Sequence, residues 1–243
     1  MVFRCFASKG QGQKRNEPFT AQGAVEGHTE TDGVWEVRER CRKLLLLLLG
    51  GNADNSYNMK KLFVDLGHSV KYPGAIGIKS EVQWNRAIWL HLRDLLDKKM
   101  YEIVLVPDKF WNDYSSNRNL INRISFINKR AKPTDMLLSI HGNAATNPKA
   151  RGVTTCYMGG SESGRKEAAE LSEVYAEKTG VPIWNGGAFD DRNGRFGRIG
   201  MVRDTTPFAL LIEAGFVTNK EDMGVDSITA ARAITKYFNE FSF

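Results

Sequence analysis

The sequence lacks several features that would place it in a well-defined class. Its 243 residues contain only three cysteines, Cys5, Cys41 and Cys156, and no CxxC pair, which excludes a disulfide framework and argues against a cysteine-ligated zinc site. Its longest apolar run, at residues 44–49, is far shorter than the ~20 residues of a membrane-spanning helix, so we predict no membrane insertion. HExxH, GxSxG and GxxxxGKS/T are also missing. These absences exclude the helical metalloprotease arrangement, the nucleophile elbow and the phosphate-binding loop.

The sequence does have an ordinary apolar content and an excess of positive charge. Hydrophobic residues make up 42% and charged residues 26% of the chain, as in a folded domain with a buried core. The net charge of +6 suits an anionic partner, such as nucleic acid, a membrane surface or an acidic cell wall, but does not choose among them. Solubility alone would account for the charge equally well.

Residues 1–58 differ from the rest of the chain. Residues 7–33 are rich in Gly, Gln, Asn, Glu and Thr without apolar periodicity, a composition that predicts disorder. Basic residues then precede six leucines at 44–49, the order found in a signal peptide, but this run is too short for an h-region and begins about forty residues into the chain. Residues 1–58 are therefore either a disordered extension or no part of the functional protein. The second interpretation, with translation starting at Met59, is favoured because Met59 leads directly into a strong strand pattern. Residues 59–243 form the predicted single domain.

Apolar segments alternate between strand and helix patterns from Lys60 onward. Short, nearly continuous apolar runs predict strands at 61–66, 101–106, 135–140, 152–158 and 208–212. Helical spacing of apolar residues predicts helices at 81–98, 117–129, 162–178 and 227–241. The third helix has Ser161 as its N-cap and stops at Gly180. Alternating strands and helices predict an α/β fold, with a twisted, mostly parallel mixed sheet covered by helices on both faces.

Ionisable residues follow three of the predicted strands. His68, His141 and Glu213 each come just after an apolar run, and each has a glycine beside it. Functional sites of open α/β sheets collect at the carboxyl ends of the strands. Two imidazoles from adjacent strand ends could begin a metal site, but this pattern alone is a weak signal and is more often explained by satisfied polar residues at the start of loops. His91 lies inside a predicted helix, where a surface or packing role is expected.

A catalytic zinc site would need a third ligand and an open position for water. The candidate carboxylates are Asp65, Glu81, Asp135 and Glu213. Glu81 begins the helix that follows the His68 loop and can reach back over the same sheet edge, whereas Glu213 could be a ligand or a base. One carboxylate on the metal and one beside it would allow the second to take a proton from water and to pass it to a leaving amine.

Four segments of the chain resemble the zinc-dependent N-acetylmuramoyl-L-alanine amidases, the family that includes cell-separation amidases and phage endolysins. The segments lie in the expected order at 62–77, at Glu81 and Asn85, at 139–144 and at 212–219. They correspond in turn to the family's "DPGHGG" opening, the glutamate before an Asn-containing helix, the "SIHANA" element and the closing "vEtGFxSN". The match runs from about residue 60 to the end. Leu66, Ser69 and Gly142 depart from the family pattern, and the segment 219–226 is short, but no expected ligand is lost.

The resemblance implies a hydrolase that cuts the amide bond between N-acetylmuramic acid and L-alanine in peptidoglycan. It implies one Zn²⁺ held by His68, Glu81 and His141, with Glu213 as the catalytic acid and base. The zinc would lower the pKa of a bound water to roughly 7 and polarise the scissile carbonyl. Asn143 and Arg203 are candidates for substrate contact, with loop structure and surface charge as equally good explanations.

The resemblance also implies a partner and a place of action. Peptidoglycan is the expected partner, nucleic acid is not, and we expect a monomer that acts at the bacterial cell wall. Such an enzyme is either released from the cytoplasm during phage lysis, as an endolysin is, or exported by a route that the sequence does not reveal. Two alternatives remain open: a catalytically silent peptidoglycan-binding module, which the intact Glu213 and ligands disfavour, and a zinc peptidase of related fold.

Overall fold

The structure, a computed structural model, describes residues 59–111, 116–194 and 197–240, and both interpretations of residues 1–58 lie outside these ranges. The strands within them are β1 Lys60–Leu66, β2 Tyr101–Leu105, β3 Met136–Asn143, β4 Val153–Tyr157, β5 Ile183–Asp190 and β6 Phe208–Phe216. The helices are α1 Glu81–Leu95, α2 Ser116–Asn128, α3 Glu162–Thr179, α4 Gly200–Arg203 and α5 Ser227–Glu240. Short 3-10 turns lie at Asp108–Trp111, Asp191–Asn193 and Asp222–Gly224.

The six strands form one sheet in the order β2-β1-β3-β6-β4-β5. All neighbouring strands are parallel except β4, which runs antiparallel to β6 and parallel to β5. The sheet is therefore mixed and mostly parallel, as predicted. Because β1, β3 and β6 are parallel neighbours, their carboxyl ends lie side by side at one edge of the sheet.

Both faces of the sheet are covered by helices, which confirms the predicted layering. Along β1, Leu62, Val64 and Leu66 enter a larger core with residues of α1, α3 and α5, whereas Phe63 enters a smaller core with residues of α2 and α4. This alternation follows from the two-residue period of a strand. Among the described residues, no helix is both long enough and apolar enough to cross a bilayer.

Most predicted elements are present with bounds that shift by a few residues. Helix α3 has the predicted caps: Ser161 Oγ accepts a hydrogen bond from Gly164 N, and Gly180 has a left-handed φ of 72°. Helix α1 ends at Leu95, earlier than predicted.

Two expectations about β3 and β6 were wrong. These strands extend past their apolar runs to Asn143 and Phe216, so that His141 and Glu213 lie inside strands and do not follow them. The reason is that backbone pairing between β3 and β6 continues irrespective of side-chain polarity; His141 and Glu213 are themselves register partners.

Strand β5 and the short helix α4 were not predicted. The sequence of β5, IWNGGAFD, contains Asn185, Gly186 and Gly187, all with positive φ. Val153 of β4 pairs with Ile183, but Thr155 pairs with Ala188, so β5 bulges opposite Thr154. Such an irregular strand has no clean two-residue period for a sequence to display.

Candidate metal centre and active site

Two adjacent strands deliver two histidines to the same edge of the sheet. Leu66 of β1 pairs with Ile140 of β3, and the following Gly67 N donates to Ile140 O at 2.9 Å. The next residues, His68 and His141, therefore come together. Asn85 of α1 donates from Nδ2 to Gly67 O at 3.2 Å and so holds the loop of His68 against the helix.

Glu81, the first residue of α1, lies between the two imidazoles. Its Oε1 is 3.0 Å from His68 Nε2 and 2.9 Å from His141 Nδ1. The ligand atoms of the three residues all lie within 4.8 Å of one another. Two imidazole nitrogens and one carboxylate are a known donor set for catalytic zinc, which leaves a fourth position open. The residues present therefore fit a single bound ion.

The Glu81 carboxylate is buried but ionised. Its exposed fraction is 3%, and backbone N–H groups of Ala75 and Gly142 donate to Oε2 and Oε1 at 2.9 and 3.3 Å. Burial alone would raise the pKa of this group, but the neighbouring His68 and His141 lower it by more than burial raises it, so the pKa is about 2. At neutral pH Glu81 is thus in the form that binds a cation.

Backbone geometry around the cluster leaves no room for added side-chain atoms. A Cβ at Gly67 would lie 2.3 Å from His141 Cε1, and a Cβ at Gly74 would lie 2.3 Å from Glu81 Oε2. His68 itself adopts a left-handed φ of 68°, which is uncommon and costly outside glycine. Strain held at a cluster of ligating side chains is typical of a functional site.

Glu213 lies beside this cluster on β6. It is the register partner of His141 on β3 and of Thr154 on β4, and its exposed fraction is 1%. Since paired residues of neighbouring strands project to the same face, His141, Glu213 and Thr154 form one row across three strands. The structure thus brings His68, Glu81, His141 and Glu213 to one edge of the sheet.

The other two candidate carboxylates have structural partners. Asp65 accepts hydrogen bonds from Arg123 Nη1, at 2.6 and 2.8 Å, and from Ser139 Oγ at 2.7 Å, and it is fully buried. Asp135 accepts from the backbone N–H groups of Lys61 and Lys132 at 2.9 and 2.7 Å. The sequence left four carboxylates open, and these contacts leave Glu81 and Glu213 at the site.

Asn143 and Arg203 both have partners within the fold. Asn143 Oδ1 accepts from Ala144 N at 2.8 Å. Arg203 donates from Nε to Asp191 Oδ2 at 2.6 Å, and its Nη2 donates to Asp191 Oδ1. Their contact with substrate stays a prediction.

Two buried aspartates that anchor loops of the fold were not predicted from the sequence. Asp191 also accepts from Gly159 N at 2.7 Å, and Asp222 accepts from Gly152 N and Phe216 N at 2.7 and 3.0 Å. Both are fully buried. No sequence signal marks them, because an aspartate in a loop is normally exposed.

Most of the chain matches a known protein family. Residues 62–233 match the sequence pattern of a family described as N-acetylmuramoyl-L-alanine amidase. No curated protein sequence matches the chain. Among solved structures, the catalytic domain of the CD27L endolysin, which targets Clostridia Difficile, is 22% identical with a TM-score of 0.60, over 76% of this chain and 99% of that one.

Two further solved structures are similar to the same extent. The catalytic domain of CwlV, an amidase from Bacillus (Paenibacillus) polymyxa var. colistinus, is 24% identical with a TM-score of 0.56, over 75% of this chain and 97% of that one. The CwlD amidase from Clostridioides difficile, solved with the GerS lipoprotein, is 24% identical with a TM-score of 0.60, over 74% and 98%. At these identities the likeness concerns the fold.

Proposed function

The chain belongs to the N-acetylmuramoyl-L-alanine amidase family and acts on peptidoglycan, and we propose that it does so with one zinc ion held by His68, Glu81 and His141. We assign Glu213 as the catalytic acid and base. The bond cut is the amide between N-acetylmuramic acid and L-alanine. The observation that carries the proposal is the His68–Glu81–His141 cluster, whose ligand atoms lie within 4.8 Å of one another.

The donor set and its surroundings support zinc. Glu81 is ionised, and Ala75 N fixes its second oxygen at 2.9 Å, so the carboxylate is oriented before any ion arrives. A zinc ion bound there would supply a Lewis acid for the scissile carbonyl and would make water acidic enough to ionise near neutral pH.

The position of Glu213 supports its proposed role in proton transfer. It lies next to His141 in the β3–β6 register and outside the cluster of three donors. In the proposed reaction a Glu213 carboxylate oxygen takes a proton from the attacking water as the water oxygen bonds to the lactyl carbonyl carbon. Glu213 then delivers that proton to the L-alanine nitrogen as the C–N bond breaks, which returns the carboxylate to its starting form.

Digestion of isolated cell-wall sacculi by the full chain tests the proposal. We expect new L-alanine amino termini and free lactyl groups, loss of both on chelation, recovery on adding Zn²⁺, and a loss of at least about a hundredfold in Glu213→Gln. Binding to sacculi without release would favour the silent binding module. New amino termini within the stem peptide would favour a peptidase. Full activity after chelation would rule out the metal.

We also propose that the enzyme is a monomer with a lytic role. The similarity to the CD27L endolysin catalytic domain supports lysis, but CwlV and CwlD are equally similar to the chain. A lytic enzyme is expected to clear a suspension of intact sacculi, whereas a remodelling enzyme would leave most of the wall in the suspension uncut. Light scattering during gel filtration would reveal a dimer if the monomer proposal is wrong.

A further inference from the structure

Thr154 is a buried hydroxyl residue in the row that contains Glu213. Its exposed fraction is 0%, and within the described ranges of the chain its Oγ1 has no hydrogen-bond partner. Thr154 pairs with Glu213 in the antiparallel β4–β6 register. Residues that face each other in this way have Cβ atoms about 4.5–5.5 Å apart on the same face of the sheet. The Thr154 side chain therefore lies beside that of Glu213, on the side away from His141.

The neighbouring Thr155 shows how the same side chain behaves in a structural role. Thr155 is also fully buried, but its side chain faces the opposite side of the sheet. Its Oγ1 lies 2.9 Å from Ser172 Oγ, and Ser172 in turn donates to Gly187 O at 2.6 Å. One threonine of the pair is thus tied into the fold, and the other is not.

A buried hydroxyl without a partner weakens a fold, because the group loses its hydrogen bonds to water and gains none in return. Valine has almost the same shape and no such cost. Stability therefore gives no reason for a hydroxyl at position 154. The neighbouring Glu213, which pairs with Thr154, offers a functional reason for the hydroxyl. Strand β5 also bulges opposite Thr154, between the pairs Val153–Ile183 and Thr155–Ala188, and bulges are frequent beside active sites.

We propose that Thr154 is a positioning residue whose hydroxyl donates a hydrogen bond to the Glu213 carboxylate during proton transfer. This inference rests on the role proposed for Glu213. A threonine hydroxyl reaches new partners by rotation about a single bond. A donor on one carboxylate oxygen fixes the orientation of the other, which is the oxygen that must face the water and later the amine.

Three variants of the full chain separate this role from a structural one: Thr154→Val, Thr154→Ser and Thr155→Val. We would measure kcat and KM on a soluble muramoyl-peptide fragment, zinc content and Tm. Thr154→Val should lower kcat about tenfold to a hundredfold, the range for a hydrogen bond to a charged group, with KM and zinc content unchanged. Its Tm should equal or exceed that of the wild type. Thr154→Ser should recover most of kcat, and Thr155→Val should lower Tm with kcat unchanged.

Several results would overturn the proposal. Wild-type kcat in Thr154→Val would do so, and so would a higher KM with unchanged kcat, because the hydroxyl would then serve substrate binding. A lower Tm in Thr154→Val would show that the hydroxyl has a structural partner. Wild-type activity in Glu213→Gln, measured alongside, would instead remove the role of Glu213 and with it that of Thr154.

Discussion

Oε1 of Glu81 lies 2.9 Å from Nδ1 of His141, although 60 residues separate them in the chain. The contact joins the start of helix α1 to the interior of strand β3. An ion between these two atoms and His68 would replace two hydrogen bonds with metal bonds and tie together three elements of the fold. Metal binding should therefore be visible in stability as well as in activity.

Zinc should raise the stability of the protein through His68, Glu81 and His141. At a free zinc concentration 100 times Kd, binding to the folded state alone stabilises by about 2.7 kcal/mol. We expect zinc to raise the Tm of the wild type but not of His141→Ala. His91→Ala is the matched control, because His91 lies in α1 outside the cluster, and it should respond to zinc like the wild type. An equal response in all three proteins would place the ion elsewhere.

Gly74→Ala should weaken zinc binding. Gly74 has a φ of 74°, and an added Cβ would lie 2.3 Å from Glu81 Oε2 and 2.6 Å from His68 Cδ2. We expect zinc affinity to fall about tenfold to a hundredfold, as for other changes next to metal ligands. Calorimetric titration of the metal-free protein with zinc measures the change in affinity.

Gly180→Ala separates this clash from backbone strain. Gly180 has nearly the same φ, 72°, but a Cβ there would meet nothing within 4 Å. It should cost about 1 kcal/mol of stability and leave zinc affinity unchanged. Equal affinities for the two variants would mean that Gly74 does not support the ligands.

Asp191→Asn should destabilise the protein at neutral pH and have less effect in acid. Burial raises the pKa of Asp191, but hydrogen bonds from Arg203 and from backbone N–H groups lower it more, so the pKa is below its usual value in the folded state. The stabilisation from this carboxylate is therefore present above pH ~4, the unfolded pKa, and disappears as the pH falls through the lower folded pKa.

Urea unfolding at pH 7 and at pH 3 measures this dependence. At pH 7 we expect a loss of about 2 kcal/mol, less than for a fully buried ion pair because the Arg203 side chain is 29% exposed. At pH 3 the difference between variant and wild type should shrink. Glu162→Gln, which breaks the exposed pair with Arg165, is the control and should change little at either pH. A constant difference for Asp191→Asn would mean that its charge does not matter.

Arg123→Met should destabilise the fold more than any single change at an exposed pair. The Arg123 side chain is 7% exposed and that of Asp65 is fully buried, so the variant leaves a buried charge without its counter-ion. We expect a loss of about 3–5 kcal/mol in the free energy of unfolding. The double variant Asp65→Leu/Arg123→Met should recover most of that loss. If the double variant is less stable than Arg123→Met, the pair contributes through more than charge balance.

The sequence predicted the parts of the fold that depend on local apolar patterns. Strand β1 and helix α3 follow from a buried apolar run and from clear caps at Ser161 and Gly180. Three of the four main residues of the site are candidates because they lie where apolar runs stop, and Glu81 is one because it opens the next helix; the family resemblance then selected these four. Their roles in zinc binding and catalysis stay predictions.

Contacts between distant residues could not be predicted in this way. Asp65 and Glu81 were both candidate ligands by residue type, and the sequence favoured Glu81 through its place before the helix and the family resemblance. The contact of Asp65 with Arg123, 58 residues away, could not be predicted. Strand β5 was missed because it is held by pairing with β4 and not by its own pattern. Thr154 was missed for the same reason, since its position beside Glu213 is a matter of strand register.

The bulge in β5 also affects how the sheet ends. In the part of the chain that the structure describes, β5 is the last strand on its side of the sheet, next to β4. A foreign strand would need a straight row of backbone N–H and C=O groups to add there, and the left-handed residues Asn185, Gly186 and Gly187 break that row. The irregularity that lies opposite Thr154 thus also guards the open edge against edge-to-edge aggregation.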